Sequence, residues 1–285
     1  MFGFLNVYKP VGKTSHDVVA ILRRVTKIKQ IGHTGTLDPF AEGVLPICIG
    51  KATRLIEYLK DDKAYIGTVQ LGKSTTTYDI EGEGVNESDK SVSIEEIEQA
   101  LEQFKGDIEQ LPPMYSAIKI NGKKLYEYAR EGKDVKIEPR GVNVSDIKIL
   151  SFNQEIRKLE LYIACSKGTY IRSIANDLGE VLGTYGHLTK LIRVKAGKFV
   201  INESVKLDDL QSIEQIKEHL IYPLDYIEYP KYNLNQSELE KVSHGMQISP
   251  AVDTKDGTII LTHENRLIAI GEAKSNNIKC SKVFI

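Results

Sequence analysis

An unbroken apolar run, Gly43–Gly50, is the feature that most limits how this chain can fold. A run of this kind is typical of a strand that is buried in a protein core. Around it, predicted strands alternate irregularly with a few helices, which favours an α+β fold over a regular βαβ series. The length of 285 residues allows one large domain and one small domain.

Capping and periodicity signals predict further elements around this strand. Phe4–Tyr8 reads as a short apolar strand, and Thr14 or Ser15 then caps a helix. Glu160–Cys165 alternates between apolar and polar residues, as a half-buried strand does. The helix that follows carries apolar residues on one face and is expected to end at Gly183.

The stretch Tyr222–Tyr232 is rich in Tyr and Pro and is the best candidate for a domain boundary. We therefore predict one domain in residues 1–228 and a second in residues 229–285. From Leu234 onward the chain is strand-and-turn in character. It is too short there to form more than an accessory module.

The formal net charge of −1 argues weakly against a nucleic-acid partner, but the distribution of charge matters more than the total. Acidic residues concentrate in Asp89–Gln110, where Ser93 opens a capping box and predicts an acidic surface helix. Basic residues gather in Arg23–Lys29, Lys119–Lys133 and Lys190–Lys198. Each basic cluster alone fits a solvated surface, so RNA binding stays open at this point.

The sequence offers no support for a membrane span, a disulfide framework or a metal site. No apolar run approaches the ~20 residues that a membrane helix needs, and the N-terminus lacks the basic stretch of a signal peptide. Cys48, Cys165 and Cys280 are far apart and odd in number, which suits a reducing cytoplasm. The histidines are scattered without metal-ligand spacing. We therefore expect a cytoplasmic protein without a metal.

The segment Gly67–Ser74, GTVQLGKS, matches the P-loop pattern letter by letter but is predicted not to bind nucleotide. A P-loop must run straight into a helix whose N-terminal amides hold phosphate. Here Val69 and Leu71 alternate with polar residues, which indicates a strand, and the residues that follow are β-branched and polar.

The loop Gly32–Pro39, GHTGTLDP, concentrates glycines, hydroxyls, an imidazole and a carboxylate directly before the buried strand. Pro39 pushes Asp38 toward an extended conformation, and the glycines permit close approach of a ligand. A carboxylate on a stiff loop at the end of a core strand can act as a nucleophile or a base. An Asp-Pro turn, in which the side chain bonds its own backbone, explains the same residues equally well.

Several motifs in order resemble those of the TruB family of bacterial tRNA pseudouridine-55 synthases. They span most of residues 4–198 and comprise KPVGKTS, GHTGTLDPFAEGVLPICIGKATR, KAY with LGKSTTTYDIEG, PPMYSAIKINGKKLYEYAREG, GTYIRSIANDLG and HLTKLIR. The resemblance implies the pseudouridine synthase fold, a mixed and mainly antiparallel sheet with flanking helices and loops. It also implies an enzyme that isomerises the uridine at position 55 of tRNA without a cofactor or metal.

The resemblance assigns catalytic roles to Asp38, Tyr65 and Arg172. Asp38 is then the aspartate that attacks the uracil ring or the ribose, or removes a proton to form a glycal. Arg172 pairs with it and favours the ionised carboxylate, whereas a helix-start arginine bonding surface acids is the alternative. Tyr65 stacks on the extruded base and assists proton removal; an ordinary strand tyrosine looks the same.

Four further residues receive substrate-binding roles from the resemblance. His33 fills the gap in the RNA stack, or else fixes its own loop by a hydrogen bond. Lys9 binds RNA near the site, or else backbone carbonyls. Leu191 forms an apolar wall of the uracil pocket and Tyr170 packs beneath the site, although both residue types are common in protein cores.

Two regions resemble RNA-binding parts of the family. Residues 113–141 are rich in Lys, Arg and Tyr and resemble its RNA-clamping thumb, predicted to be mobile without RNA. The C-terminal residues 229–285 resemble, more loosely, the small β-rich PUA module. The expected partner is the T-arm stem-loop of tRNA, bound by a monomer without an obligate protein partner.

Two other functions fit parts of the pattern. One is the archaeal and eukaryotic relative that works with guide RNA and protein partners, and the thumb-like segment and compact C-terminus favour the stand-alone bacterial form over it. The other is an RNA-binding module without chemistry. The joint presence of Asp38, Tyr65 and Arg172 argues against that module, because binding alone needs no nucleophile.

Overall fold

The structure, a computed structural model, describes residues 1–133, 135–252 and 254–285. Asp134, in the predicted thumb, and Asp253, in the predicted C-terminal module, lie outside the described residues. In the described parts of the chain, no helix combines the length and the apolar character needed to cross a bilayer.

The strands of the N-terminal half are short and interrupted by turns. They are β1 (Gly3–Lys9), β2 (Ile31–His33), β3 (Glu42–Ile49), β4 (Lys63–Leu71), β5 (Lys73–Thr75), β6 (Gly84–Glu87), β7 (Gly106–Gln110), β8 (Lys119–Ile120) and β9 (Lys123–Lys124). The remaining strands are β10 (Arg140–Asn153), β11 (Lys158–Cys165), β12 (Gly186–Ala196), β13 (Phe199–Val200), β14 (Val205–Lys206), β15 (Lys231–Asn233), β16 (Gly257–His263), β17 (Arg266–Lys274) and β18 (Asn277–Val283). The α-helices are α1 (Ser15–Thr26), α2 (Ile94–Leu101), α3 (Leu125–Arg130), α4 (Ile171–Leu182), α5 (Ile213–Glu218) and α6 (Gln236–Ser243).

One large mixed sheet carries most of the chain, as the α+β prediction requires. Its order is β14-β1-β3-β12-β4-β11-β10-β7, with β2 added on β3 and β13 on β12. The β1–β14 and β3–β12 pairs are parallel and the other pairs are antiparallel. Strand β12 therefore lies between β3 and β4. The loop that contains Asp38 leads into β3, and β4 contains the base-stacking candidate Tyr65.

The sequence signals for the helices of this sheet are confirmed. Thr14 caps α1 and Ser93 caps α2, each through a capping box. Gly183 ends α4 in the left-handed conformation, with a φ of 66°. Helices α2 and α4 pack on the β4–β11–β10 region, whereas α1 packs on β1 and β3.

The P-loop-like segment Gly67–Ser74 lies in β4 and β5, which confirms its rejection as a phosphate loop. A P-loop requires a phosphate-binding loop followed by a helix, whereas this segment consists mainly of strand residues. Gly67 faces the side chains of Leu188 and Ile171, at 3.1 and 3.5 Å from the position that a Cβ would take. This glycine is therefore explained by close packing of α4 and β12 against β4.

The last strands form a second sheet in the order β15-β16-β17-β18. It has a hydrophobic cluster of its own, and a further cluster that includes Phe4, Ile260, Leu267 and Phe284 joins it to the large sheet. The prediction that this region holds only strands and turns is wrong at α6. That helix is short and has few apolar residues, so its periodicity is weak, although Asn235 caps it through a capping box.

Candidate active site

Asp38 lies in the loop between β2 and β3 and lines a cavity of about 640 Å³. The hydroxyl of Ser15, the first residue of α1, accepts a hydrogen bond from the Leu37 amide at 2.8 Å and donates one to the Leu37 carbonyl at 3.1 Å. The amide of Gly12 donates to the carbonyl of Pro39 at 2.8 Å. The N-terminal segment therefore fixes the loop on both sides of the carboxylate.

Arg172 reaches the carboxylate of Asp38 from the first turn of α4. Its Nε lies 3.1 Å from Oδ2 of Asp38, but the N–H is not aimed at that oxygen, and Nη2 donates to Oδ1 at a long 3.5 Å. The pair is thus a close ion pair with one long hydrogen bond, and its Nε–H points away from the carboxylate. The Asp38 side chain keeps 34% of its surface exposed, so it is accessible from the cavity.

A second aspartate, Asp79, holds the same guanidinium more firmly. Nη1 of Arg172 donates to Oδ2 of Asp79 at 3.0 Å and to the Thr77 carbonyl at 3.2 Å. Thr77 and the Glu81 amide in turn donate to Oδ1 of Asp79. Asp79 received no role from the sequence. Its segment is β-branched and polar and leads to Gly82 and Gly84, and these local features do not reveal an aspartate that holds a distant arginine.

The structure brings five of the seven candidate residues to one cavity. Besides Asp38 and Arg172, these are Tyr65, Tyr170 and Leu191, from β4, the start of α4 and β12. Tyr65 and Leu191 are almost fully buried. Two aromatic rings and an isobutyl group therefore supply apolar walls beside the carboxylate, the surroundings that a planar base requires.

Lys9 and His33 lie outside the lining of this cavity. The Lys9 ammonium is wholly buried and donates to the carbonyls of Pro10, Lys13 and Pro39, at 2.9, 2.6 and 3.4 Å. Lys9 was expected to bind either RNA or backbone carbonyls, and these contacts match the second possibility. His33 pairs with β3 at the end of β2, and its buried Nδ1 has no hydrogen-bond partner within the described residues.

The electrostatic environment sets the protonation of these groups. Burial raises the pKa of the Asp38 carboxyl above its ordinary value, against the opposing effect of Arg172, and the neighbouring Asp79 raises it further. Burial also raises the pKa of Tyr65 and lowers that of His33. Among the neighbouring groups, Arg172 therefore favours the ionised form of Asp38 most strongly.

The described residues of the predicted thumb, 113–133 and 135–141, are called the thumb segment below, and several of them cover one side of the cavity. Tyr115, Ser116, Tyr126 and Arg130 contribute to its lining. The carbonyl of Tyr115 accepts a hydrogen bond from Nη2 of Arg172 at 3.0 Å. The segment is therefore linked directly to the guanidinium that pairs with Asp38.

Lysine side chains also contribute to the cavity. Lys63 and Lys167 line the cavity, and Lys167 contacts Asp61 at 3.3 Å near the surface. These charges suit a polyanionic ligand. In the residues that the structure describes, no group of three or more His, Cys, Asp or Glu side chains is arranged to hold a metal ion.

Two family models match the chain, and together they cover well over half of it. The model of the TruB family pseudouridylate synthase (N terminal domain) matches residues 23–171. The model of the tRNA pseudouridylate synthase B C-terminal domain matches residues 172–227. The join between them falls at the start of α4, immediately before Arg172.

Curated relatives and solved structures are similar over nearly the whole chain. The tRNA pseudouridine synthase B of Clostridium novyi (strain NT) is 42% identical over 292 residues, 100% of both chains, and that of Acaryochloris marina (strain MBIC 11017) is 44% identical over 279 residues, 95% of each. A chain in a Cbf5-Nop10-Gar1 complex superposes with a TM-score of 0.72 at 26% identity, over 100% of this chain and 85% of that one. A chain in an H/ACA RNP bound to a substrate RNA containing 2′-deoxyuridine gives 0.71 at 25% identity, with the same coverage.

Proposed function

Since the chain belongs to the TruB family of pseudouridylate synthases, it isomerises uridine in tRNA to pseudouridine, and we propose that Asp38 is the nucleophile of this reaction. The ion pair between Asp38 and Arg172 beside a nucleotide-sized cavity carries the proposal. The carboxylate is partly exposed to the cavity, and its one hydrogen bond from Arg172 is long, so lone pairs remain available to a substrate.

The reaction needs one group that acts on the nucleotide and one that handles a proton. The bond between N1 of uracil and C1′ of the ribose breaks, the base rotates, and a bond from C5 to C1′ replaces it. The proton on C5 is lost and N1 gains one, so no electrons are gained or lost overall. Asp38 acts on the nucleotide, and the hydroxyl of Tyr65 assists the removal of the C5 proton.

We propose the T-arm uridine at position 55 as the target, bound in an extruded conformation. The cavity lies beneath the thumb segment, so a base must leave its stack to reach Asp38. Tyr65 then stacks on the extruded base, while Tyr170 and Leu191 bound the space around it. Lys63 and Lys167 attract the flanking phosphates at the opening.

We further propose that residues 1–228 are the catalytic domain and residues 229–285 a PUA-like RNA-binding domain. The separate four-stranded sheet β15–β18 with its own hydrophobic cluster supports this division. The apolar contact between the two sheets, which includes Phe4 and Phe284, would hold the second domain in a fixed orientation.

The test compares wild type with Asp38→Ala and the isosteric Asp38→Asn on a tRNA transcript. We expect pseudouridine to disappear in both variants while tRNA affinity survives, because the removed carboxylate does not bind phosphate. A transcript with cytidine at position 55 should give no product with wild type. Pseudouridine formed by the Asp38→Ala variant would refute the assignment of Asp38 as the nucleophile.

A bare T-arm hairpin separates the stand-alone enzyme from the guide-dependent form. We propose that the chain acts alone, since the thumb segment that covers the cavity belongs to the chain itself. Product formation on the hairpin without added protein or RNA is the expected result. Activity that appears only after a partner is added would favour the guide-dependent form.

A further inference from the structure

Arg193 has the largest fully buried side chain among the described residues, and it is not one of the residues that line the active-site cavity. It lies on β12, directly opposite Tyr65 on β4 and opposite Gly43 on β3. Directly opposite residues of an antiparallel pair face the same side of a sheet. Arg193 and Tyr65 therefore share one face, next to the loop that carries Asp38.

The guanidinium binds three backbone carbonyls at this place. Nε donates to Val44 at 2.6 Å, Nη1 to Thr36 at 3.2 Å and Nη2 to Gly35 at 3.2 Å. Val44 belongs to β3, whereas Gly35 and Thr36 precede the nucleophile candidate by two to three positions in the chain. One rigid planar group therefore ties the loop to the central strands of the sheet.

This arrangement is costly to build. Among the described residues, no carboxylate lies within ion-pair distance of Arg193, although its guanidinium is shielded from water. A buried charge without a paired charge must be stabilised by well-placed dipoles. The carbonyls of Gly35, Thr36 and Val44 provide them, so the loop cannot move without leaving the charge unsolvated.

The sheet is irregular at the same point. The pairing of β12 with β4 shifts register between Arg193 and Lys195, as at a β-bulge. Bulges beside active sites re-aim side chains. Gly43, opposite Arg193 on the other side, has no room for a side chain, because a Cβ there would lie 2.4 Å from the Arg193 carbonyl oxygen. The backbone around Arg193 is thus shaped to hold the guanidinium against the loop.

We infer that Arg193 is the positioning residue of the active site, which fixes the Asp38 loop relative to Tyr65 from inside the sheet. The inference rests on the proposed roles of Asp38 and Tyr65. Arg193 is wholly buried and does not line the cavity, so it touches neither RNA nor the reacting atoms. It acts through the geometry of the two residues that do.

The charge of Arg193 also influences the groups around it. It opposes the effect of burial on the pKa of Asp38 and on the pKa of Tyr65, lowering both. The titratable groups that face it come from several elements, namely Lys9, His33, Asp38, Lys63 and Tyr65, while Cys165 also faces Tyr65. Loss of this charge should therefore raise the pKa of Asp38 further.

Two variants separate the geometry from the charge. Arg193→Lys keeps the cation but replaces three separated donor nitrogens by a single one, whereas Arg193→Gln loses both the charge and this fork. For a displaced loop of this kind we expect the single-turnover rate to fall about 100-fold in each variant, with unchanged tRNA affinity. The acid limb of the pH–rate profile should move to higher pH in Arg193→Gln and stay in place in Arg193→Lys.

Arg157→Gln is the matched control, since Arg157 also donates to a backbone carbonyl, that of Ser88, but lies away from the cavity. Its rate and pH profile should equal those of wild type. A wild-type rate in a folded Arg193 variant overturns the inference. A slow Arg193→Gln variant whose acid limb has not moved also overturns the inference, because a packing defect alone would then explain the lower rate.

Unfolding curves verify that each variant is folded, and Arg193→Lys carries the test by its rate if Arg193→Gln does not fold. Asp38→Ala is assayed in parallel. Product formation by Asp38→Ala would refute the proposed nucleophile, whereas the inference on Arg193 is judged from the ratio of its variants to wild type. The two can therefore fail separately.

Discussion

Arg172 is anchored by Asp79 rather than by Asp38. The pair of Arg172 Nη1 and Asp79 Oδ2 measures 3.0 Å, and the two side chains are only 6% and 3% exposed. Asp38 is 34% exposed, and its hydrogen bond from Nη2 of the guanidinium is longer, at 3.5 Å. Asp79 thus holds the guanidinium in place, which fits the proposed role of Asp38 toward the substrate.

Asp79→Asn should slow the reaction and move its acid limb to lower pH. Asp79 raises the pKa of Asp38, so its neutralisation lowers that pKa and Asp38 stays ionised at lower pH. The released Arg172 can also move toward Asp38, and we expect kcat to fall about 100-fold from this misplacement. The measurement is kcat as a function of pH with saturating tRNA.

Glu83→Gln is the control for this variant, because Glu83 is an exposed acid in the same segment. It should leave kcat and the acid limb unchanged. An Asp79→Asn enzyme with a wild-type rate, or with its acid limb at higher pH, would contradict the proposed anchoring role.

Deletion of residues 122–132 from the thumb segment should weaken tRNA binding sharply. It removes Tyr126 and Arg130, which line the cavity, and the neighbouring Lys123 and Lys124. Each lost phosphate contact reduces the slope of log K against log salt by about 0.7 to 0.9. Affinity measured over a series of salt concentrations checks the prediction.

A variant with Lys123, Lys124 and Arg130 all changed to Gln keeps the segment and removes only its charge. We expect the slope of log K against log salt to fall in this variant by about 0.7 to 0.9 for each lost phosphate contact. The variant should keep more of the affinity than the deletion does. Unchanged affinity and salt dependence in the deletion would show that the segment does not clamp RNA.

Gly179→Ala should destabilise the protein through α4. A Cβ at this position would lie 2.2 Å from both the Gly186 nitrogen and the Tyr185 carbonyl carbon, which are backbone atoms that cannot turn away. Overpacking of this kind costs about 1–3 kcal/mol. The free energy of unfolding in urea measures it.

Gly141→Ala is the control, because its Cβ would meet only the flexible end of the Glu109 side chain, at 3.4 Å. Its stability should stay close to that of wild type. A Gly179→Ala protein as stable as wild type would mean that α4 can shift away from the β12 region at no cost.

Lys9→Met should remove a pH-dependent part of the stability. Burial lowers the pKa of Lys9 from 10.5 to about 8. Between these values the unfolded chain binds more protons than the folded one, so the Lys9 contribution makes the wild type more stable as pH rises through this window. The variant lacks the rise, although it is less stable overall because three carbonyls lose a donor.

Urea unfolding at several pH values between 7 and 10.5 tests this difference. Lys29→Met, at an exposed position, should follow the wild-type pH dependence. A parallel pH dependence for Lys9→Met and wild type would contradict the lowered pKa.

Short-range signals were sufficient for much of the fold. The capping boxes at Thr14 and Ser93 and the glycine stop at Gly183 involve residues a few positions apart, so the sequence alone determined them. The buried strand at Gly43–Gly50 followed from its apolar composition. Helix α6 was not predicted, because its apolar stripe is too short to show a helical period.

Ordered motifs in the sequence also indicated Asp38, Tyr65 and Arg172, and with them the family. What the sequence could not reveal is which distant groups hold them in place. Asp79 lies 93 residues from Arg172, and Arg193 lies 158 residues from the Gly35 carbonyl that it binds. Only the folded sheet brings these groups within hydrogen-bond distance, because a buried charge takes its partners from whichever strands and loops pack around it, and no local pattern encodes that choice.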